Sequence, residues 1–225
     1  MSTFEDLGFC KLDVGREERT GFPEVVFGAG KTVEQIEAIV RRLIAHHGRA
    51  LVTRLSPEKG DRLALLIPEA VFHEESGLLQ YGEAAVQLPG HIAVLCGGTS
   101  DIPVAEEAAR TAEWMGCRVQ RIYDVGVAGI DRLLAYRDDI RKAHVVIVVA
   151  GMEGALASVV GGMVRRPVVA VPTSVGYGAH MQGVTPMLAM MTSCATGVAV
   201  MNIDNGFGAA SYASTILQLV KEAND

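Results

Sequence analysis

His91–Pro103 reads HIAVLCGGTSDIP and Ala143–Gly162 reads AHVVIVVAGMEGALASVVGG. In both stretches an apolar run of strand length reaches glycine and passes into a segment that begins like a helix. A run that is apolar residue after residue, rather than alternating, is what a strand buried on both faces requires. Three further strand-like runs accompany these two: CRVQRIY at 117–123, RPVVAVP at 166–172 and TGVAVMNI at 196–203. Helix-length segments lie between or after them, at Ile102–Met115, Ala128–Ala143, Ala155–Val164, Gly183–Ser193 and Phe207–Lys221. Strands alternating with helices imply right-handed crossovers, hence an α/β fold with a parallel sheet and helices on both faces. Ligands of such sheets lie beyond the carboxyl ends of the strands, where the strand order switches. The loops after Cys96, Ala150 and Pro172 are therefore where chemistry is expected.

The residues before this region read differently. GFPEVVFGAGKT leads into a helix over Val33–His47, with Val33, Ile36, Val40, Leu43 and Ile44 on one stripe and Thr32 as N-cap. A short strand over Ala50–Arg54 and a helix start at Ser56-Pro57 follow. Gly60–Leu88 has no clean period. The expectation is a small α/β domain over 1–89, a boundary at Gln87–Gly90, and the larger α/β domain over 90–225.

Composition narrows the function classes. Apolar residues make up 49% of the 225-residue chain and charged residues 20%, enough for a sizeable core. A formal charge of −6 and the lack of a basic stripe argue against nucleic acid. The stretch Pro167–Ile203 carries no Asp, Glu, Lys or Arg, yet prolines and glycines break it, so it is read as protein interior and pocket wall rather than a membrane span. The N-terminus lacks the order of a signal peptide. The four cysteines, Cys10, Cys96, Cys117 and Cys194, form no CxxC pair, which fits a reducing, cytoplasmic setting.

Within the strand-end loops, each candidate has a bland reading beside the functional one. Gly97 and Gly98 permit a tight turn close to a ligand, and Thr99, Ser100 and Asp101 suit a helix start that receives phosphate. An ordinary cap explains the same residues equally well. Glu153, between Gly151 and Gly154, fits a general base or a charge that stabilises a helix N-terminus. The glycines around it tip the reading toward function. Pro172–Pro186, PTSVGYGAHMQGVTP, is long for a connection and holds Gly176, Tyr177, His180 and Gln182. His180 there is a ligand donor or a bystander. A lone cysteine is ordinarily a small buried hydrophobe, and Cys10, Cys96 and Cys117 are read so. Cys194 differs by following Thr192 and Ser193 at an element boundary, a weak mark of a nucleophile.

Taken together, GGTSD, AGMEGALASVVGG, RRPVVAVPTSVGYG and DNGFGAASYASTIL resemble the PurE superfamily of aminoimidazole-ribonucleotide carboxylases and mutases. That resemblance implies a flavodoxin-like three-layer αβα sandwich. The purine enzymes carry a Ser-Ala-His-Arg run whose histidine moves a proton. The equivalent run here is DVGVAGIDR, with Val127 at the histidine's place. GFPEVVFGAGKT, LVTRLSPEK, DVGVAGIDR and MMTSCATG instead resemble LarB, the PurE-related family of nickel-pincer nucleotide cofactor biosynthesis. This resemblance implies carboxylation at C5 of the pyridinium ring of nicotinic acid adenine dinucleotide with CO2, and release of AMP by phosphoanhydride hydrolysis. It further implies Cys194 as the covalent nucleophile, Glu153 as proton shuttle, GGTSD as phosphate holder, and Asp101 as a residue orienting ribose or a metal. Mg2+ is expected, biotin and ATP are not, and the assembly implied is a homo-octamer. The alternatives are a purine carboxylase or mutase, and a non-catalytic nucleotide-binding module.

Overall fold

The computed structural model describes residues 3–84 and 86–224. The chain divides into two compact units, Met1–Ala85 and Val86–Asp225.

The first unit opens with β1 (Glu5–Asp6), β2 (Lys11–Leu12) and the short α1 (Arg16–Thr20). A mixed sheet follows, built from β3 (Val26–Phe27), β4 (Ala50–Thr53), β5 (Val71–His73) and β6 (Leu78–Tyr81), in the order β3-β4-β6-β5. The helix α2 (Val33–His47) crosses between the parallel strands β3 and β4. Its start is the predicted one. Thr32 Oγ1 accepts from the Gln35 N–H at 3.2 Å, and Gln35 Oε1 accepts from the Thr32 N–H at 3.0 Å. It ends at Gly48, whose φ of 68° only glycine adopts without strain. Val33, Ile36, Ile39, Val40 and Leu43 are buried, so the stripe gains Ile39, while Ile44 packs only partly buried at the cluster's edge. The aperiodic segment resolves into α3 (Pro57–Leu66), β5 and β6. Strands of three and four residues are too short to display a period.

In the second unit, β7 (Ile92–Cys96), β8 (Val119–Ile122), β9 (Val145–Ala150), β10 (Val168–Pro172) and β11 (Val198–Val200) form one parallel sheet in the order β11-β10-β9-β7-β8. Counted from its own first strand this is the flavodoxin-like order 2-1-3-4-5, which switches direction between β7 and β9. Successive strand residues face opposite sides, and the core splits accordingly. Ile92, Val94, Cys96, Val145, Ile147 and Val149 pack on one face against α4 (Ile102–Trp114) and α9 (Gly206–Glu222). Ala93, Leu95, Val146, Val148 and Ala170 pack on the other with α5 (Ile130–Ala135), α6 (Arg137–Lys142), α7 (Ala155–Met163) and α8 (Val184–Met191). The three-layer αβα sandwich is therefore the observed fold. Ala105, Ala108, Ala109 and Ala112 on α4, with Ala209, Ala210 and Ala213 on α9, have no side chain longer than a methyl to keep the two helices apart.

Two expectations change. The single helix expected over Ala128–Ala143 is a short 3-10 turn (Val127–Gly129) followed by α5 and α6, broken at Tyr136. No glycine or proline marks that break; Leu133 and Ile140 on the two pieces are buried in the same core cluster. The charge-free stretch is only partly interior. β10 is buried throughout, but Tyr177, Met181, Leu188 and Met191 are exposed.

Candidate active site

A cleft of about 580 Å³ opens at the carboxyl ends of the strands, beside the switch between β7 and β9. Four loops wall it. The loop after β7 supplies Gly97–Asp101, the loop after β8 supplies Asp124, Gly126, Val127 and Ala128, the loop after β9 supplies Gly151–Glu153, and the loop after β10 supplies Val175–Tyr177.

Asp101 holds three of these loops together. Its carboxylate is 5% exposed. Oδ1 accepts from the Thr173 hydroxyl at 2.7 Å, Oδ2 accepts from the Gly98 N–H at 3.0 Å, and the Gly151 backbone donates as well. Burial pushes this carboxyl above its ordinary range, against the three hydrogen bonds that favour the ionised form. Asp101 lines the cleft and, through these three hydrogen bonds, ties the loops together.

The loop after β9 is clamped to the loop after β10. A Cβ on Gly151 would lie 2.2 Å from the Val175 carbonyl oxygen, so only glycine fits. The Met152 N–H donates to that same oxygen at 3.1 Å. Met152 and Gly154 have φ of 50° and 70°, the left-handed conformations that turn strand into helix here. Glu153 between them is exposed and borders the cleft. Gly154 does not line the cleft; it lies against Pro186, which a Cβ would approach to 3.0 Å.

Gly176 lines the cleft and His180 does not. The imidazole is 5% exposed and lies beneath Gly176, where a Cβ would stand 2.4 Å from the ring. Nδ1 accepts from the Gly183 N–H at 3.2 Å. His180 thus supports the loop from below, which is the bystander reading. The physical reason is packing: the ring fills the space under a residue that has no side chain.

Cys194 is the exposed cysteine, and it lies outside the cleft lining. Its neighbours Ser193 and Ala195 border a second cavity of about 400 Å³, together with Met187, Met190 and Met191. The turn that carries it is pinned to α7. Ser158 donates to Ser193 Oγ at 2.8 Å, and Ser193 Oγ also accepts from the Ala195 N–H at 3.2 Å. A Cβ on Gly161 would stand 2.8 Å from Ala195 Cβ, so the helix and turn are in close contact. Of the three thiols expected to be buried, Cys10 is half-buried, packed against the core of the first unit. Cys96 and Cys117 are buried, and burial pushes Cys96 up to about 11.

Two cleft residues escaped the sequence reading, Asp124 and Arg132, which form an ion pair of 2.6 Å. Both belong to the DVGVAGIDR run, in which Val127 stands at the place of the purine enzymes' histidine. The rule that strand-end loops hold the chemistry covers the loop after β8 as well, and it would have found them.

Two family descriptions match the chain: a LarB/PurE-like N-terminal domain over residues 4–83 and AIR carboxylase over residues 91–224. The chain belongs to the LarB family. Its second unit is the PurE-type domain, and the pair of domains marks a LarB-like, PurE-related enzyme of the carboxylase type. Uncharacterized protein MJ0165 of Methanocaldococcus jannaschii is 42% identical over 221 residues, covering 93% of this LarB-family chain and 84% of that protein. The N5-carboxyaminoimidazole ribonucleotide mutase of the same organism is 31% identical over 135 residues, 58% of this chain and 81% of the mutase. Among the described residues, no helix is long and apolar enough to cross a membrane.

Proposed function

We propose that this LarB-family chain carboxylates C5 of the pyridinium ring of nicotinic acid adenine dinucleotide and hydrolyses its phosphoanhydride. The products are AMP and pyridinium-3,5-biscarboxylate mononucleotide. The observation that carries the reading is the make-up of the cleft: Glu153 and Val127 line it, and no histidine does among the described residues. Purine carboxylases of the PurE type work through a histidine at the place of Val127, so that route lacks its proton carrier here.

A thiol supplies a different route. A pyridinium ring is too electron-poor to attack CO2. Addition of the Cys194 thiolate at C4 forms an S–C bond and turns the ring into a neutral dihydropyridine, whose C5 is an enamine carbon. C5 then attacks CO2, leaving an iminium at the ring nitrogen. Glu153 takes the C5 proton, which restores the enamine. Expulsion of the thiolate from C4 regenerates the aromatic pyridinium. Water attack on the phosphoanhydride then separates AMP from the mononucleotide. The sequence of steps uses neither biotin nor ATP. Because Cys194 stands outside the cleft of its own chain, the reading requires its turn to move or a neighbouring copy to bring the thiol. The homo-octamer expected of the family is part of this reading.

No group of three or more His, Cys, Asp or Glu side chains among the described residues forms a ready-made metal cage. Mg2+ that arrives on substrate phosphates needs only one or two protein carboxylates. Glu153 and Asp124 are the exposed carboxylates of the cleft. When bound, the ion would neutralise charge on the phosphoryl oxygens.

The test is incubation with nicotinic acid adenine dinucleotide, bicarbonate and Mg2+, with chromatography of the products. AMP and the biscarboxylate mononucleotide are expected together. Cys194→Ala should abolish carboxylation, and Glu153→Gln should lower kcat by roughly 10²- to 10⁴-fold. Full activity in Cys194→Ala would sink the covalent route. Rescue of a purine auxotroph is expected to fail, since Val127 cannot carry a proton.

A further inference from the structure

A further cavity, of about 510 Å³, is lined by Arg141, Met163, Arg165 and Arg166. Arg141 ends α6 just ahead of β9, and Arg165 and Arg166 stand between α7 and β10. The two strands are parallel, so this cavity lies at their amino ends, opposite the cleft. Its walls hold three guanidinium groups and no carboxylate. Arg42, Arg49, Arg121 and Arg132 pair with carboxylates of this acidic chain. Among the described residues, Arg141, Arg165 and Arg166 have no such partner. Like charges gathered without a counter-charge repel one another, and a bound anion removes that repulsion. Basic residues near the ends of α6 and α7 also complement the helix dipoles. Arg141 is placed to do so, since its Nε donates to the Met163 carbonyl at 3.0 Å. The side chains of Arg165 and Arg166 are exposed and bond to no protein group among the described residues.

Three guanidinium groups specify the anion. A planar fork of donors matches phosphate oxygens, and one phosphate carries a charge of only about −2. Two linked phosphates balance three cations more closely and offer each fork an oxygen pair. The volume lies within the range of small-molecule sites, about 300–1,000 Å³. Met163 is the sole apolar side chain of the lining, and no aromatic ring is present to stack a base. We propose that this cavity is a second anion site, separate from the cleft, which takes a diphosphate group, free or at the end of a nucleotide. The inference is independent of the carboxylation reading.

Titration calorimetry on the full chain tests it, with inorganic pyrophosphate, ADP and inorganic phosphate as probes. Pyrophosphate and ADP should bind with similar affinity, and phosphate more weakly. The double substitution Arg165→Ala with Arg166→Ala removes two exposed, unbonded side chains and should leave the fold intact. It should weaken pyrophosphate by about a hundredfold or more, the range of two charge-assisted hydrogen bonds. Arg16→Ala with Arg19→Ala removes the same charge from the first unit and should leave binding unchanged. Modification by phenylglyoxal, mapped by mass spectrometry, locates the site: pyrophosphate should protect Arg165 and Arg166. ADP bound far more tightly than pyrophosphate, and lost in the same double variant, would uphold the site and assign it to a nucleotide. Equal pyrophosphate affinity in wild type and the Arg165/Arg166 variant, an equal loss in the Arg16/Arg19 variant, or unprotected Arg165 and Arg166 would overturn it. So would a wild type that ignores pyrophosphate and a double variant of lower mass by light scattering, which would give these arginines to carboxylates of a second copy.

Discussion

A carboxylate that accepts three hydrogen bonds while nearly out of solvent carries a pH signature, and Asp101 is such a group. Its carboxyl in an unfolded chain titrates near 3.8, and burial in the folded state moves it upward. In the window above 3.8 the folded state then binds more protons than the unfolded state, so the stability due to this group falls as pH rises and returns on acidification. Wild type should accordingly gain stability relative to Asp101→Asn as pH is lowered from 7 toward the folded-state pKa, as measured by denaturant midpoints. A difference that stays flat with pH would contradict the assignment. Glu106 shows the opposite balance. Burial pushes it up, but bonds from Arg121 at 2.8 Å and Tyr123 at 2.7 Å outweigh that and hold it below the usual carboxylate range. This carboxylate belongs to the packing of α4 on β8, away from the cleft.

At the scale of elements, the cleft exists because loops lock onto one another. Gly151 is the point of closest approach, with the Val175 carbonyl in the space a Cβ would need. Backbone cannot swing aside as a side-chain tip can, so Gly151→Ala should separate the loops after β9 and β10. The expected cost is about 1–3 kcal/mol in thermal or denaturant unfolding. Activity should drop further than stability, because Glu153 moves with the loop. An alanine variant with full stability and activity would show that the clamp is dispensable. The same logic applies to α7, which begins beside Glu153 and whose Ser158 and Gly161 hold the Cys194 turn. Glu153 thus lies just ahead of this nine-residue helix, and the turn that carries Cys194 is held against it.

At the scale of the molecule, the exposed apolar residues of α8 call for a partner surface. Leu188 is 51% exposed and Met191 64%, next to the edge strand β11 and the Met-lined cavity. Leu188 and Met191 stand three positions apart on α8, a spacing that places them on one helix face. The octamer proposed above would cover it, and the double substitution Leu188→Asp with Met191→Asp should give a lower-mass species by light scattering. If that species also loses carboxylation while its cleft still binds mononucleotide, the thiol comes from a neighbouring copy. An unchanged mass would place the subunit contacts elsewhere.

The legibility of this chain followed the range of the forces involved. Strand, helix and cap signals are local. The strand runs, the Thr32 cap and the glycine-marked turns after Cys96 and Ala150 could therefore be read from neighbours in sequence, and with them the αβα fold and the loops of the site. The break at Tyr136 and the short strands β5 and β6 left no local mark. What the residues do within the loops depended on contacts between distant segments. Asp101 meets Thr173 across 72 positions, and His180 fills the space beneath Gly176 rather than facing the cleft. Arg132 meets Asp124 across the loop that carries Val127. Residue type and spacing determined which side chains reach the strand ends. Only the tertiary packing, by using up the hydrogen-bonding capacity of some and leaving others open, decided which of them face a ligand.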